Sequence, residues 1–284
     1  MRFKESSRFH LILFCSLFIL LSACGATSNE STSNDGTKKN ETASDSTEVE
    51  KDIDEEENDV DTDVDEKKDT EAKEAVYKVT PEWFVTPTND ANEKVVLLTI
   101  DDAPDKHAVE MAKTLKGLDA PAIFFVNGHF LQDEEGRKQL QEINELGFPI
   151  GNHTMTHTDL TTISEEEQKE EISEVNRLVE EIIGEKPKFF RAPFGKNTDY
   201  SKKLAEEEGM LLMNWMYGYD WDKEYQEADA LTDIMVDSPL LGEGAILLMH
   251  DRDWTNDALS DIVTGLQDKG YEMLDPLLIE NVNE

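Results

Sequence analysis

An apolar run from Val95 to Ile100 ends in two neighbouring carboxylates, Asp101 and Asp102, followed by Ala103 and Pro104. Adjacent like charges at a strand tip repel each other unless something positive compensates them. On this stretch alone, an Asp-x-Pro turn that simply stops a strand explains the pair equally well. Further on, His153 and His157 stand four apart in Gly151-Asn152-His153-Thr154-Met155-Thr156-His157. Two histidines at that spacing share one face if the segment makes a helical turn, which suits two ligands of a divalent metal. The pattern is not the metalloprotease His-Glu-x-x-His, because Thr154 follows the first histidine and no general-base Glu lies between the two. Alone in a polar loop such a pair is more often surface histidine; a carboxylate arriving from another strand end reverses that preference toward a metal ligand. Arg191, Asp220 and His250 complete the residues whose types can do chemistry.

The elements that must position them alternate. Strands are expected at 95–101, 121–126, 148–151, 188–191, 210–216 and 245–250, with a weak one at 271–274. Helices are expected at about 107–118, 133–146, 164–183, 199–208, 228–237 and 256–269. In the third, Ile172, Val175, Leu178, Val179, Ile182 and Ile183 recur at 3 and 4, and Ser164 with Glu167 predicts a capping-box start. Strand and helix in alternation imply a parallel sheet, and six or seven such units fit an open doubly wound sheet or a closed barrel. Neither a Gly-x-Gly-x-x-Gly after the first strand nor a Gly-x-x-x-x-Gly-Lys-Ser/Thr occurs, which disfavours nucleotide-binding versions. Asp101, Asp102, His153, Arg191, Asp220 and His250 all fall at, or just past, the C-terminal end of an expected strand. Parallel strands put those ends on one rim, where a (β/α) barrel builds its site.

The stretches LTIDDAP, IGNHTMTH, FFRAPFG, YDW and LLMHD, in that order, resemble the five motifs of the polysaccharide deacetylase family, the NodB homology domain. The resemblance implies an α/β fold, a distorted (β/α) barrel of about seven parallel strands, TIM-barrel-like, and metal-dependent removal of acetyl groups from carbohydrates. By the family pattern Asp102, His153 and His157 hold the metal, Asp101 is the catalytic base, and Arg191 orients it. Asp220 pairs with His250, the general acid; Trp221 and Leu248 line the acetyl pocket; and the Phe194 N–H helps hold the oxyanion. The metal is expected to be Zn²⁺, although imidazole and carboxylate ligands also suit Co, Ni or Fe. Taken singly, Trp221 and Leu248 read as ordinary packing. His107 and His129 belong to no motif and read as structural. Three positions depart from the pattern: Ala103 stands where Gly is common, Phe194 where Tyr is frequent, and Tyr217 where a further acid is often found. An alanine lacks glycine's access to positive φ, so the loop must take an ordinary conformation at 103.

Residues 1–23 carry Arg2, Lys4 and Arg8 ahead of an apolar stretch from Leu11 to Leu21. That stretch is too short to span a bilayer comfortably and reads as an export signal. Leu21-Ser22-Ala23-Cys24 resembles a bacterial lipoprotein processing site, at which Cys24 becomes a lipidated N-terminus. Two acyl chains suffice for stable anchoring. Cys15 is the one other cysteine, so no disulfide is expected. Residues 24–75 have almost no large apolar side chains and read as a disordered acidic tether, with 19 acids against 6 bases between Asn29 and Ala75. Fully extended, the residues from Asn29 to Ala75 reach at most about 160 Å. The whole chain of 284 residues has a net charge of −37, which argues against nucleic acid and anionic membrane surfaces as partners. The leading expectation is therefore a cell-wall N-deacetylase, anchored on the outer face of the bacterial membrane, acting with its domain 76–284 on an acetylated glycan, most plausibly peptidoglycan amino sugars. An O-acetyl esterase acting on xylan or another glycan shares every one of these residues. A non-catalytic lipoprotein that binds metal or sugar suits the tether as well.

Overall fold

The computed structural model describes residues 74–280. The signal segment, Cys24 and nearly all of the tether lie outside the described residues. Two short antiparallel strands, β1 (Tyr77–Val79) and β2 (Val85–Pro87), come first. Then follow β3 (Val95–Ala103), α1 (Ala108–Gly117), β4 (Ala122–Val126), α2 (Glu134–Glu145), β5 (Ile150–Asn152), α3 (Glu165–Ile183) and β6 (Phe189–Phe190). The chain continues through α4 (Asp199–Glu207), β7 (Leu211–Leu212), α5 (Ala228–Val236), β8 (Ala245–His250), α6 (Asp253–Asp268) and β9 (Glu272–Met273). Strands β3 to β9 form one parallel sheet in the order β7-β6-β5-β4-β3-β8, with β9 pairing to the start of β3. The hairpin β1–β2 is not among the expected strands, because three-residue strands are too short to carry a periodic signal.

Expected and observed elements agree within a few residues except at 210–216. There the strand stops after Leu212, and the segment pairs at its start with β6 and at its end with β8, through Met216 N–H to Ile246 O and Leu248 N–H to Tyr217 O. This segment closes the barrel, and its irregularity makes the barrel distorted. Part of the reason is local: the Asn214 carbonyl accepts from Arg191 Nη2 at 3.0 Å instead of joining a sheet ladder.

Alternation along the strands splits the apolar residues into layers. Val96, Leu98, Ile100, Phe124 and Val126 face the helices, packing with Met111 and Leu115 of α1, Leu140 of α2, Val175 and Val179 of α3, and Ile262 of α6. Val95, Leu97, Ile123, Phe125, Phe189, Met213 and Ile246 fill the barrel interior, which Tyr77, Val85 and Ile279 help to close. Gly151, the register partner of Phe125 on β5, is glycine for a packing reason: a Cβ there would lie 2.4 Å from the Phe125 ring. Helix α3 starts on the expected capping box of Ser164 and Glu167 and ends at Gly184, whose φ of 81° a glycine adopts without strain.

Candidate functional site

The inward rows of side chains that fill the barrel continue upward into polar residues at its C-terminal rim. On β3 the row Val95, Leu97, Thr99 ends in Asp101; on β8 the row Ile246, Leu248 ends in His250, the register partner of Asp101. Phe189 on β6 is followed by Arg191, and Gly151 on β5 by His153, each two residues on. Arg191 is fully buried, with its guanidinium 4.2 Å from the Phe125 ring centre. Its Nη1 donates to Asp101 Oδ1 at 2.7 Å and to Thr99 Oγ1 at 2.8 Å. The carboxylate of Asp101, itself buried, is thereby compensated and held in one orientation.

Asp102 leaves the row. Its φ is 60°, in the left-handed region that aspartate tolerates better than most residues, and this turns its carboxylate away from Arg191 toward the histidines. Asp102 Oδ1 lies 3.8 Å from His153 Nε2 and 3.5 Å from His157 Nε2, while Oδ2 accepts from Arg252 Nη2 at 2.6 Å. Burial works against the charge on Asp102, but the positive charge of His153, His250 and His157 when protonated, with that of Arg252, outweighs it and holds its carboxyl below the ordinary range. Ala103 is not among the left-handed residues, as its side chain requires.

His153 and His157 reach one place, but not through a helical turn. The segment is a loop with positive φ at Thr154 (69°) and His157 (59°), and side chains of Asn127, Glu171 and the adjacent Asn152 set its shape. Asn127 Nδ2 donates to His153 O at 2.6 Å, Asn152 Oδ1 accepts from Thr154 N at 2.8 Å, and Glu171 accepts from both the N–H and the hydroxyl of Thr156. The Arg191 carbonyl accepts from His153 Nδ1 at 2.8 Å. A carbonyl can only accept, so Nδ1 carries a proton and Nε2 of the neutral ring presents a lone pair. That lone pair faces Asp102 Oδ1 and, at 3.5 Å, Asp101 Oδ2. Burial, with His153 nearby, pushes the His157 pKa down and favours its neutral form. Lone pairs from two imidazoles and a carboxylate, all within 4.8 Å of one another, form a donor set that fits a divalent cation.

On the other side, His250 Nδ1 lies 2.7 Å from Asp220 Oδ1, and Asp220 Oδ2 accepts from His250 N and Thr255 Oγ1. Burial opposes a charge on His250, but the hydrogen bond and charge of Asp220, with Asp101 and Asp102 beyond, raise its pKa. Trp221, 51% exposed, stands edge-on to the His250 ring at 5.6 Å, and Leu248 is buried in the inner row below. Phe194, 59% exposed, lies edge-on to His157 at 4.8 Å. Its φ of 59° sits in the Pro193–Gly195 turn, and no described residue takes its N–H. Tyr217 points away from the site, its hydroxyl donating to Met235 O at 2.8 Å, so its departure from the family pattern falls in the core. His107 bridges Glu110 and Asp253, and His129 binds the Met155 carbonyl; neither joins the cluster.

Sequence reasoning missed the residues that hold these groups in place. Asn127 follows an expected strand end, the criterion that found the others, and Asn152 and Asp251 lie inside the quoted motifs. Arg252 carried no signal, since a basic residue ahead of a helix is ordinary.

Together the fold and the rim define a distorted (β/α)-barrel class in which an Asp-His-His donor set able to hold a cation stands beside an arginine-bound aspartate and an aspartate-bound histidine. Comparison with known proteins places the chain within that class. A family model described as polysaccharide deacetylase matches residues 88–213. A peptidoglycan-N-acetylglucosamine deacetylase of Bacillus cereus is 31% identical over 192 residues, covering 65% of this chain and 70% of the relative. The peptidoglycan-N-acetylmuramic acid deacetylase PdaC of Bacillus subtilis is 31% identical over 202 residues, covering 69% of this chain and 41% of PdaC. Among solved structures, wild-type BA3943 of Bacillus anthracis, described as a CE4 family pseudoenzyme, is 30% identical with a TM-score of 0.58, covering 64% of this chain and 63% of BA3943. The chain thus spans less than two thirds of PdaC and of BA3943. It belongs to the polysaccharide deacetylase family.

Proposed function

We propose that the protein is a metal-dependent deacetylase that hydrolyses N-acetyl groups of peptidoglycan amino sugars. The observation that carries this reading is the pair of Asp101 and His250 beside the converging lone pairs of Asp102, His153 and His157. A divalent cation held by those three, Zn²⁺ by donor type with Co, Ni or Fe as substitutes, would polarise the acetyl carbonyl and make water more acidic. Asp101, oriented by Arg191, accepts the proton of the attacking water. The free Phe194 N–H donates to the developing oxyanion, a contribution of about 3 kcal/mol for a donor of this kind. His250, kept protonated by Asp220, donates to the leaving nitrogen, so that acetate and a free amine result; such acid catalysis is worth about 10² to 10⁴-fold. Trp221 and Leu248 border the space for the acetyl methyl.

Two relatives named for different sugars, N-acetylglucosamine and N-acetylmuramic acid, support peptidoglycan as the polymer. The Cys24 sequence supports lipid anchoring at the outer face of the membrane, with the tether placing the domain in the wall. Metal analysis of the purified protein, combined with acetate release from peptidoglycan, acetylated chito-oligomers and acetylated xylan, tests the reading. Release from the first two but not from xylan is expected. Release from xylan alone would make it an O-acetyl esterase. A metal-loaded protein inert toward every glycan would make it a binding protein.

A further inference from the structure

Arg252 has no part in the chemistry above, yet it is bound to its centre. Its Nη2 donates to Asp102 Oδ2 at 2.6 Å, and its Nη1 donates to the Asp251 carbonyl at 2.9 Å and lies 3.7 Å from Asp105 Oδ2. The preceding residue grips the same loop. Asp251, fully buried, accepts from the N–H groups of Asp105, Lys106, His107 and Ala108 at 2.7 to 3.1 Å, and donates its own N–H to Asp101 O at 3.0 Å. The stretch directly after His250 therefore clamps the stretch that carries Asp101 and Asp102.

We propose that Arg252 is a positioning residue for the cation site, fixing Asp102 as a ligand through one oxygen. This rests on the reading of Asp102, His153 and His157 as that site. With Oδ2 held by the guanidinium, Oδ1 alone faces the two imidazole nitrogens. A carboxylate with both oxygens free can rotate, and any orientation that turns Oδ1 away from the imidazole nitrogens weakens the donor set. Asp102 also sits at a φ of 60°, a conformation that persists where surrounding contacts over-determine it. The planar fork of arginine, tied at its other nitrogen to the Asp251 carbonyl, holds the carboxylate in orientation as well as in charge. Each of the two adjacent acids thus has its own guanidinium: Arg191 on Asp101 and Arg252 on Asp102. If Arg252 contributed charge alone, its removal would leave cation affinity equal or higher, because a positive guanidinium repels a cation.

The test is a chelator-competition titration of Zn²⁺ into the full chain as wild type, Arg252→Gln and Arg252→Lys, alongside kcat, KM and the Tm of the metal-free proteins. Arg252→Gln is expected to bind Zn²⁺ about 10 to 100-fold more weakly, as for loss of an outer partner to a ligand. Its kcat should fall by more than its KM rises, and its metal-free Tm should move little. Arg252→Lys, which keeps the charge without the fork, should recover part of the affinity. Zn²⁺ affinity in Arg252→Gln equal to or tighter than wild type overturns the proposal. If Arg252→Gln does not fold, Arg252→Lys decides alone, weaker binding supporting the proposal and wild-type binding overturning it. Wild type that binds no Zn²⁺ removes the cation-site reading itself, a result distinct from wild type that binds normally with Arg252→Gln unchanged.

Discussion

Asp101 and His250 are register partners on the neighbouring parallel strands β3 and β8, both at the top of inward-facing rows that lower down are apolar except for Thr99. A carboxylate and an imidazole so placed face the same space from adjacent strands. Each is tied from behind by an opposite charge, Asp101 by Arg191 and His250 by Asp220. The first prediction concerns the carboxylate. Asp101→Asn keeps the size and the hydrogen bond to Arg191 but cannot take a proton. Turnover should fall by about 10² to 10⁴-fold, while Zn²⁺ content by elemental analysis stays at the wild-type level. Loss of metal together with activity would mean that Asp101 is itself a ligand.

His153→Ala should separate the roles in the other direction. It removes one of three donors and leaves Asp101 and His250 in place. Zn²⁺ affinity, read by chelator competition, should weaken by at least about 10 to 100-fold, since loss of an outer partner alone costs that much.

The pH dependence follows from His250. Its pKa is raised above the ordinary 6.5, so the ring holds its proton past that pH and loses it as pH rises through the raised value. A general acid must be protonated, so kcat should fall on the alkaline side. Asp220→Asn removes the partner that raises the pKa and should move that limb to lower pH in the kcat profile. The same sign governs stability: the His250–Asp220 pair contributes fully below pH 6.5, and the contribution is lost as pH rises through the folded pKa. An alkaline limb unmoved in Asp220→Asn would exclude His250 as the titrating acid.

Arg191 bears on folding as well as chemistry. Arg191→Met strands the buried Asp101 carboxylate, and breaking a buried pair from one side costs about 3 to 5 kcal/mol. Denaturant unfolding should register that loss, and Arg191→Met with Asp101→Asn should recover much of it.

Gly151→Ala tests the packing under the site. A Cβ 2.4 Å from the Phe125 ring forces the ring or strand β5 to move. Overpacking of this kind costs about 1 to 3 kcal/mol, and β5 leads directly into His153, two residues past Gly151. Both Tm and Zn²⁺ affinity should drop.

The sequence by itself determined the parallel α/β class, most element positions and the six polar residues at strand ends, because each is a local signal: an apolar run, a helical period, a charge where a strand stops. It also determined the donor types, and with the family motifs the set of Asp102, His153 and His157 that the barrel brings within 4.8 Å. The tertiary structure alone decided how they meet. The histidine pair gains its geometry from a loop braced by Asn127 beyond β4, Glu171 of α3 and Asn152 at the end of β5 just before the loop, not from a helical turn. The separation of Asp101 from Asp102 comes from a left-handed backbone at Asp102 and two different arginines. The break after Leu212 comes with a buried guanidinium claiming the Asn214 carbonyl. Apart from the Asn152 bond two residues on, the contacts that fix these features join residues far apart in the chain, and such contacts leave no periodicity to read.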